Sequence, residues 1–152
     1  NRCGHAEGIL VGGNLSSCSA IVGTQFQLPP KQDIILYIEE VEEPLHNIDR
    51  LFYRLRLQLD FERVKGIVFG SFSSNRFDLQ FDSVEQMLMT HLTDYDIPVC
   101  CGFPVGGNSC MPLIEGAPCT LDVTTEKSTL TFNIDGERQS YSLANESQQL
   151  FK

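Results

Sequence analysis

The chain has 152 residues, a length typical of one domain built around one hydrophobic core. Its 20 acidic and 11 basic side chains give a net charge of −9, which argues against nucleic acid and anionic membranes as partners and leaves small or cationic ligands. No run of about 18 apolar residues occurs, and the opening NRCGHAEG lacks a signal-peptide core, so we expect a soluble protein.

The cysteines and histidines show no spacing that indicates a disulfide framework or a zinc site. No C-x-x-C pair occurs, and the cysteines lie among apolar or small residues: Cys3, Cys18, Cys100, Cys101, Cys110 and Cys119. The three histidines are far from any metal-ligand spacing: His5, His46 and His91. We therefore expect reduced thiols, a cytoplasmic location, and neither a metal nor another cofactor.

The first predicted element is a short strand over Gly8 to Leu15, GILVGGNL, which ends in a glycine-rich turn. The turn Gly12-Gly13-Asn14 permits positive φ angles and lets another group approach the backbone closely. It either faces a ligand or opens an ordinary helix with Asn14 or Ser16 as the N-cap. The helix ends at Ile21, and residues 25–31 form an extended loop that contains two prolines.

The stretch from Asp33 to Arg50, DIILYIEEVEEPLHNIDR, is the most informative part of the sequence. Its apolar residues 34–38 predict a strand buried on both faces, and Glu39 is the first side chain after them. An acid at the end of a buried strand is well placed for chemistry, so Glu39 is the candidate catalytic acid. The other acids are expected at the surface, where they favour the start of the next helix: Glu40, Glu42 and Glu43.

Helices and strands then alternate. Pro44 to Leu59 carries apolar residues at helical spacing, and Asp82 to Thr93 predicts a second helix of the same kind. Val64 to Phe72 and Ile97 to Cys101 predict buried strands, and the latter runs into a second glycine-rich turn, GFPVGGN at 102–108.

The end of the chain changes character. Cys119 to Val123 and Ser128 to Ile134 alternate as strands do, which predicts a hairpin around a Lys127-Ser128 turn, with Asp135-Gly136 as the next hairpin turn. The whole pattern predicts an α/β fold, a mixed sheet with helices and an antiparallel portion at the C-terminus. Sites in such sheets collect beyond the carboxyl ends of the strands.

Several segments together resemble the C-terminal domain of the LD-carboxypeptidase family, the S66 serine peptidases. The family includes murein tetrapeptide carboxypeptidases and microcin C immunity peptidases. The resemblance covers nearly the whole chain and rests on these segments in this order: GGNL at 12–15, Gly23-Thr24, ILYIEEVEEPLHNIDRL at 34–51, GIVFGSF at 66–72, and PVCCGFPVGG followed by MPLIEGAPCTLDV at 98–123.

The resemblance implies a division of labour between two domains. In the family, an N-terminal α/β domain holds the nucleophilic Ser, and a C-terminal domain with a swivelling β/β/α-like fold supplies a Glu and a His. Residues 1–152 would form the C-terminal domain alone, with Glu39 as the triad acid. At the position of the family His, this chain has Gly107, or a deletion between Gly106 and Gly107. None of the three histidines present is a natural replacement, so the chain alone should be inactive.

The resemblance therefore predicts part of a serine carboxypeptidase that removes terminal D-alanine from cytoplasmic murein tetrapeptides. Its expected partners are the Ser-bearing domain, a muropeptide ligand and, in a homodimer, a second copy of the chain. Gly12, Gly13, Asn14 and Gly106 are the candidate substrate-binding residues. The alternatives are a non-catalytic interaction or dimerisation module, a microcin C-type immunity peptidase, and an unrelated enzyme that uses Cys100 or Cys101.

Overall fold

The computed structural model of the chain describes residues 1–29, 31–73, 81–107 and 109–145. The strands are β1 (Gly4–Asn14), β2 (Ile34–Glu40), β3 (Val64–Phe72), β4 (Val99–Cys100), β5 (Val105–Gly106), β6 (Ser109–Cys110), β7 (Pro118–Val123), β8 (Lys127–Ile134) and β9 (Glu137–Ala144). The helices are α1 (Leu15–Ile21), α2 (Leu45–Gln58) and α3 (Val84–Thr90), with a short 3₁₀ turn at Phe61–Arg63.

Seven strands form one mixed sheet in the order β4-β3-β2-β1-β7-β8-β9. The pairs from β1 to β4 are parallel, and the pairs from β1 through β7 to β9 are antiparallel. The predicted α/β class, the mixed sheet and the antiparallel hairpins at the C-terminus are confirmed. β5, in the second glycine-rich turn, pairs with β6 just after that turn in a separate two-stranded sheet.

Both faces of the sheet are buried around β2, because alternate residues of this strand enter two different cores. Ile34, Leu36 and Ile38 pack with the apolar faces of the helices, including the fully buried Phe52 of α2. Ile35 packs on the other face, with residues of β7, β8 and the segment after β4. A strand covered on both sides has no polar face, which explains the unbroken apolar run at residues 34–38.

Several boundaries differ from the sequence prediction. β1 begins at Gly4 rather than Gly8, because residues 4–9 pair with β7 although they are not an apolar run. The turn between β7 and β8 lies at residues 124–126, so the predicted Lys127-Ser128 turn is wrong; both residues are paired in β8. Asp135-Gly136 is confirmed as a hairpin turn, with φ angles of 51° and 85° that match a two-residue type I′ turn. Pro30 of the predicted loop and Asn108 of the predicted glycine-rich turn lie outside the described residues.

Candidate active site

The carboxyl ends of the parallel strands β1, β2 and β3 meet at one edge of the sheet. There Asn14, the last residue of β1, is in register with Glu39 of β2. The register between β2 and β3 shifts after Ile38, so that Ile38 pairs with Phe69 but Glu40 pairs with Phe72. Such irregularities re-aim side chains and are frequent beside active sites.

Glu39 is partly exposed and lies directly against two glycines. A methyl group built on Gly106 would lie 2.6 Å from Oε2 of Glu39, and one built on Gly70 would lie 3.2 Å from its Cβ. Burial raises the pKa of Glu39 above its usual 4.5, a hydrogen bond from the Asn14 amide lowers it, and the charge of Glu40 raises it further. The absence of a side chain at Gly106 therefore leaves the space that the Glu39 carboxylate occupies.

Glu40 is buried, with only 3% of its surface exposed, so the prediction that it lies at the surface is wrong. Its Oε1 accepts hydrogen bonds from Asn14 Nδ2 at 2.7 Å and from the backbone N–H of Val41 at 3.1 Å. Its Oε2 accepts from the backbone N–H of Ser16 at 2.8 Å and from the Ser16 hydroxyl at 2.7 Å. Burial raises the pKa of Glu40, but these four donors outweigh it and hold the pKa below the usual 4.5.

The period of the strand could have revealed this arrangement. Successive side chains of a strand point to opposite faces, so the period indicates that Glu39 and Glu40 are not buried to the same extent. Only the next two acids follow the expected pattern: Glu42 is exposed, and Glu43 is half-buried and accepts a hydrogen bond from Asn47 in the first turn of α2.

The first glycine-rich turn brings the backbone of β1 close to β2. A methyl group on Gly12 would lie 1.8 Å from the carbonyl oxygen of Tyr37, so only glycine fits there. Asn14 is the N-cap of α1, and its Oδ1 accepts a hydrogen bond from the backbone N–H of Ser17 at 3.1 Å. The turn thus opens a helix, as one of the two interpretations predicts. Whether it also faces a ligand stays a prediction.

The second glycine-rich segment places Gly107 beside the same edge. Its φ is 57°, in the left-handed region, and a methyl group built on it would lie 3.5 Å from Cβ of Ser71 and 4.0 Å from Cγ2 of Val41. Both are ordinary van der Waals distances, so the Cβ atom of a side chain fits at position 107 without a clash.

None of the three histidines is hydrogen-bonded or ion-paired to Glu39 among the described residues. Nδ1 of the exposed His5 is 2.6 Å from Oδ1 of Asp122, at the opposite end of β1. His91 follows α3, packs against the ring of Phe52, and its Nε2 is 2.6 Å from Oδ1 of Asp49. His46 is exposed in the first turn of α2.

The cysteines after β3 are poorly suited to act as nucleophiles. Cys100 is fully buried and Cys101 is 8% exposed. Burial raises the pKa of Cys100, and it raises that of Cys101 to about 11, so both are neutral thiols near pH 7.

In the described parts of the chain, no group of three or more His, Cys, Asp and Glu side chains is arranged to hold a metal ion. Within the same residues, no helix is long and apolar enough to cross a membrane.

Comparison with known proteins decides the family. A family model described as the LD-carboxypeptidase C-terminal domain matches residues 7–121, a segment that contains both glycine-rich turns and the acids of β2. The chain belongs to the LD-carboxypeptidase family. The resemblance seen in the sequence is therefore confirmed.

Individual relatives of the domain are carboxypeptidases and an immunity protein. A predicted carboxypeptidase of Synechocystis sp. is 36% identical over 134 residues, which cover 85% of this chain and 43% of the relative. The crystal structure of muramoyltetrapeptide carboxypeptidase from Oxalobacter formigenes matches with a TM-score of 0.72 at 27% identity, over 82% of this chain and 43% of that one. The microcin C7 self-immunity protein MccF, known from Escherichia coli, matches in its complex with glutamyl sulfamoyl guanosine with a TM-score of 0.67 at 28% identity, over 79% of this chain and 36% of that one. The domain thus spans about two fifths of the length of these relatives.

Proposed function

We propose that this chain is the C-terminal domain of a serine LD-carboxypeptidase that removes the terminal D-alanine from murein tetrapeptides. It supplies Glu39 as the triad acid and the glycine-rich turns as the substrate-facing rim, namely Gly12, Gly13, Asn14 and Gly106. A Ser-bearing N-terminal domain supplies the nucleophile. The cytoplasm is the proposed location, because the family's muropeptide substrates are cleaved there during cell-wall recycling.

The observation that carries this proposal is the contact between Glu39 and the segment that leads into Gly107. Gly106 lies against the Glu39 carboxylate, and the next residue has an open path for a side chain. A left-handed φ is more accessible to His than to most residues other than Gly, Asn and Asp. A His at position 107 would therefore directly follow the residue that contacts the Glu39 carboxylate, which is the group proposed to orient its imidazole.

The division of chemistry follows from the triad. The carboxylate of Glu39 accepts a hydrogen bond from one ring nitrogen of the family His and stabilises the imidazolium that forms. The other ring nitrogen takes the Ser proton as the Ser oxygen attacks the carbonyl carbon of the bond to D-alanine. With Gly107 there is no imidazole, and loss of one triad member costs on the order of 10⁴-fold or more in kcat. The domain as it stands should thus be inactive.

A chimera tests the proposal. The N-terminal part of the Oxalobacter formigenes enzyme is fused to this chain, with either Gly107 or Gly107→His, and release of D-alanine from a murein tetrapeptide is measured. The relative's own C-terminal domain is the positive control. We expect release only from the Gly107→His chimera. Release by the chain alone, or equal release by both chimeras, contradicts the division of labour.

A measurement on the chain itself keeps the test decisive if the chimera does not assemble. In Gly107→His, contact with Glu39 should raise the imidazole pKa, and the double variant with Glu39→Gln should lose that rise. NMR titration of the ring protons measures both. An imidazole pKa that does not depend on Glu39 would show that the two positions do not meet.

A second candidate function is a non-catalytic module for binding or dimerisation, and the absence of a His at position 107 favours it. Binding separates the candidates, because an interaction module need not hold muropeptide. If the Gly107→His chimera binds neither a murein tetrapeptide nor a peptidyl-nucleotide of the microcin type, while the chain self-associates on sedimentation, the interaction role is favoured. Preference for the peptidyl-nucleotide would instead support the immunity-peptidase alternative.

A further inference from the structure

The buried carboxylate of Glu40 has no part in the proposed triad, yet it is among the most fully hydrogen-bonded side chains of the molecule. It accepts hydrogen bonds from Asn14 at the end of β1, from Ser16 in the first turn of α1 and from the backbone N–H of Val41, the next residue in the chain. No cation pairs with it in the described residues, so its charge is balanced only by neutral donors. Maintaining an ionised carboxylate in a buried place is costly, and four donors are what make it tolerable.

Of these donors, Asn14 is the one that lies beside both acids, because it is bonded to Glu40 and is in register with Glu39. Its oxygen is occupied by the backbone N–H and hydroxyl of Ser17, at 3.1 and 3.3 Å, which fixes which way the amide faces. Its nitrogen carries two hydrogens, and one of them goes to Glu40 at 2.7 Å. The strand register places Asn14 directly beside Glu39, and the Asn14 amide favours the ionised form of that carboxylate.

We propose that Glu40 is a positioning residue, which fixes the Asn14 amide and the first turn of α1 so that Asn14 presents its remaining N–H to Glu39. Glu40 holds both sides of the arrangement. Its Oε1 binds the Asn14 nitrogen, and its Oε2 binds Ser16 in the first turn of the helix that Asn14 caps. An amide held at its oxygen by α1 and at its nitrogen by Glu40 has no rotational freedom left.

The functional meaning of this contact rests on the proposed function, in which Glu39 must keep one orientation to hold an imidazole. The contact itself does not depend on catalysis. It can be tested in the chain alone, so that failure of the chimera and failure of this inference remain separate results.

The test is an NMR pH titration of the Asn14 side-chain amide in the purified chain. In the wild type, the chemical shifts of the two Asn14 Nδ2 protons should change with the ionisation of Glu39. In Glu39→Gln, the titration step that belongs to Glu39 should disappear from both signals. In Glu40→Ala the response to Glu39 should be lost, because the amide is no longer held. Glu42→Ala is the matched control, since Glu42 is an exposed acid two residues away, and it should leave the response unchanged.

Glu40→Gln serves if Glu40→Ala does not fold. It keeps the shape but replaces one acceptor oxygen by an NH₂ donor, which must face either the donors of Ser16 or those of Asn14 and Val41, so the Asn14 response should decrease. A merely structural Glu40 would lower stability without moving this signal. An Asn14 response that is absent in the wild type, or that persists in full in both Glu40 variants, would overturn the inference.

Discussion

Two adjacent glutamates of one strand have pKa values shifted in opposite directions. Glu39 is partly buried, and the Asn14 amide does not outweigh its loss of hydration, so its pKa is raised. Glu40 is more deeply buried but has four hydrogen-bond donors, and its pKa is lowered. The number of donors therefore decides the sign, and burial alone does not.

The opposite shifts predict opposite pH dependences of stability in two variants. Glu39 has a raised folded pKa, so the stability it contributes is present below pH 4.5 and is lost as the pH rises through its folded pKa. Glu40 has a lowered folded pKa, so its contribution is present above pH 4.5 and is lost as the pH falls through its folded pKa. From acid to neutral pH, Glu39→Gln should gain stability relative to the wild type and Glu40→Gln should lose it. Urea unfolding at several pH values measures both, and slopes of the same sign would contradict the assignment.

The contact between Gly106 and Glu39 predicts that alanine is poorly tolerated at position 106. Gly102 is the matched control, because its φ of 72° is close to the 81° of Gly106 but a methyl group there would meet nothing within 4 Å. Gly102→Ala should cost about 1 kcal/mol for its left-handed backbone. Gly106→Ala should cost roughly 1 kcal/mol more, because it must also push Glu39 out of its preferred rotamer.

Denaturant unfolding gives the two costs, and the carboxyl ¹³C shift of Glu39 shows whether that side chain moves. We expect the shift to change in Gly106→Ala and to stay the same in Gly102→Ala. Equal costs together with an unchanged Glu39 signal would mean that the close approach is not needed.

At the scale of elements, the sequence predicts best where one local pattern decides the structure. The unbroken apolar run of β2 indicates a strand that is buried on both faces. The apolar stripe of α2 indicates a helix that is buried on one face, and the structure has both elements. The hairpin turn at Asp135-Gly136 is also predictable, since both residues of a type I′ turn need positive φ and the Asp-Gly pair tolerates it.

Other features depend on distant partners and were beyond sequence reasoning. β1 begins at Gly4 only because β7, more than 100 residues later in the chain, pairs with it. The turn at 124–126 was misplaced because Lys127 and Ser128 look like turn residues, but both pair with β9. The burial of Glu40 likewise requires Asn14 and Ser16, which are not its neighbours in the sequence.

The caps of α1 and α3 allow a matched test of what Asn14 does beyond capping. Asn14 and Ser83 are both N-caps whose side chains accept a backbone N–H three residues ahead. Each change to Ala should cost about 1 kcal/mol through the lost cap. Asn14→Ala should cost roughly 1–3 kcal/mol more, because buried Glu40 also loses a donor. Thermal or urea unfolding measures the difference, and equal losses would leave Asn14 as an ordinary cap.

At the scale of the whole molecule, the topology gathers the candidate site at one edge. β1 is parallel to β2 on one side and antiparallel to β7 on the other, so the strands that carry Asn14 and Glu39 lie next to each other inside the sheet. The loops beyond this edge are tied together: the N–H of Glu42 donates to the carbonyl of Ser73, and the N–H of Ser73 donates to the carbonyl of Glu40. Two backbone hydrogen bonds therefore join these loops. Under the proposed function, this edge is the surface on which the Ser-bearing domain docks.

Docking at this edge predicts different effects for two exposed apolar residues. Val41 is 43% exposed and lies beside Gly107, whereas Leu57 is 62% exposed near the carboxyl end of α2, and hence at the opposite end of the sheet. In the chimera, amides of residues 41–43 and 105–107 should exchange hydrogen more slowly than in the chain alone. Val41→Glu should reverse that protection, because it places a charge in the interface, while Leu57→Glu should leave it unchanged. Hydrogen exchange read by mass spectrometry measures both effects, and protection centred on α2 instead would place the Ser-bearing domain on another face and remove Glu39 from the reaction.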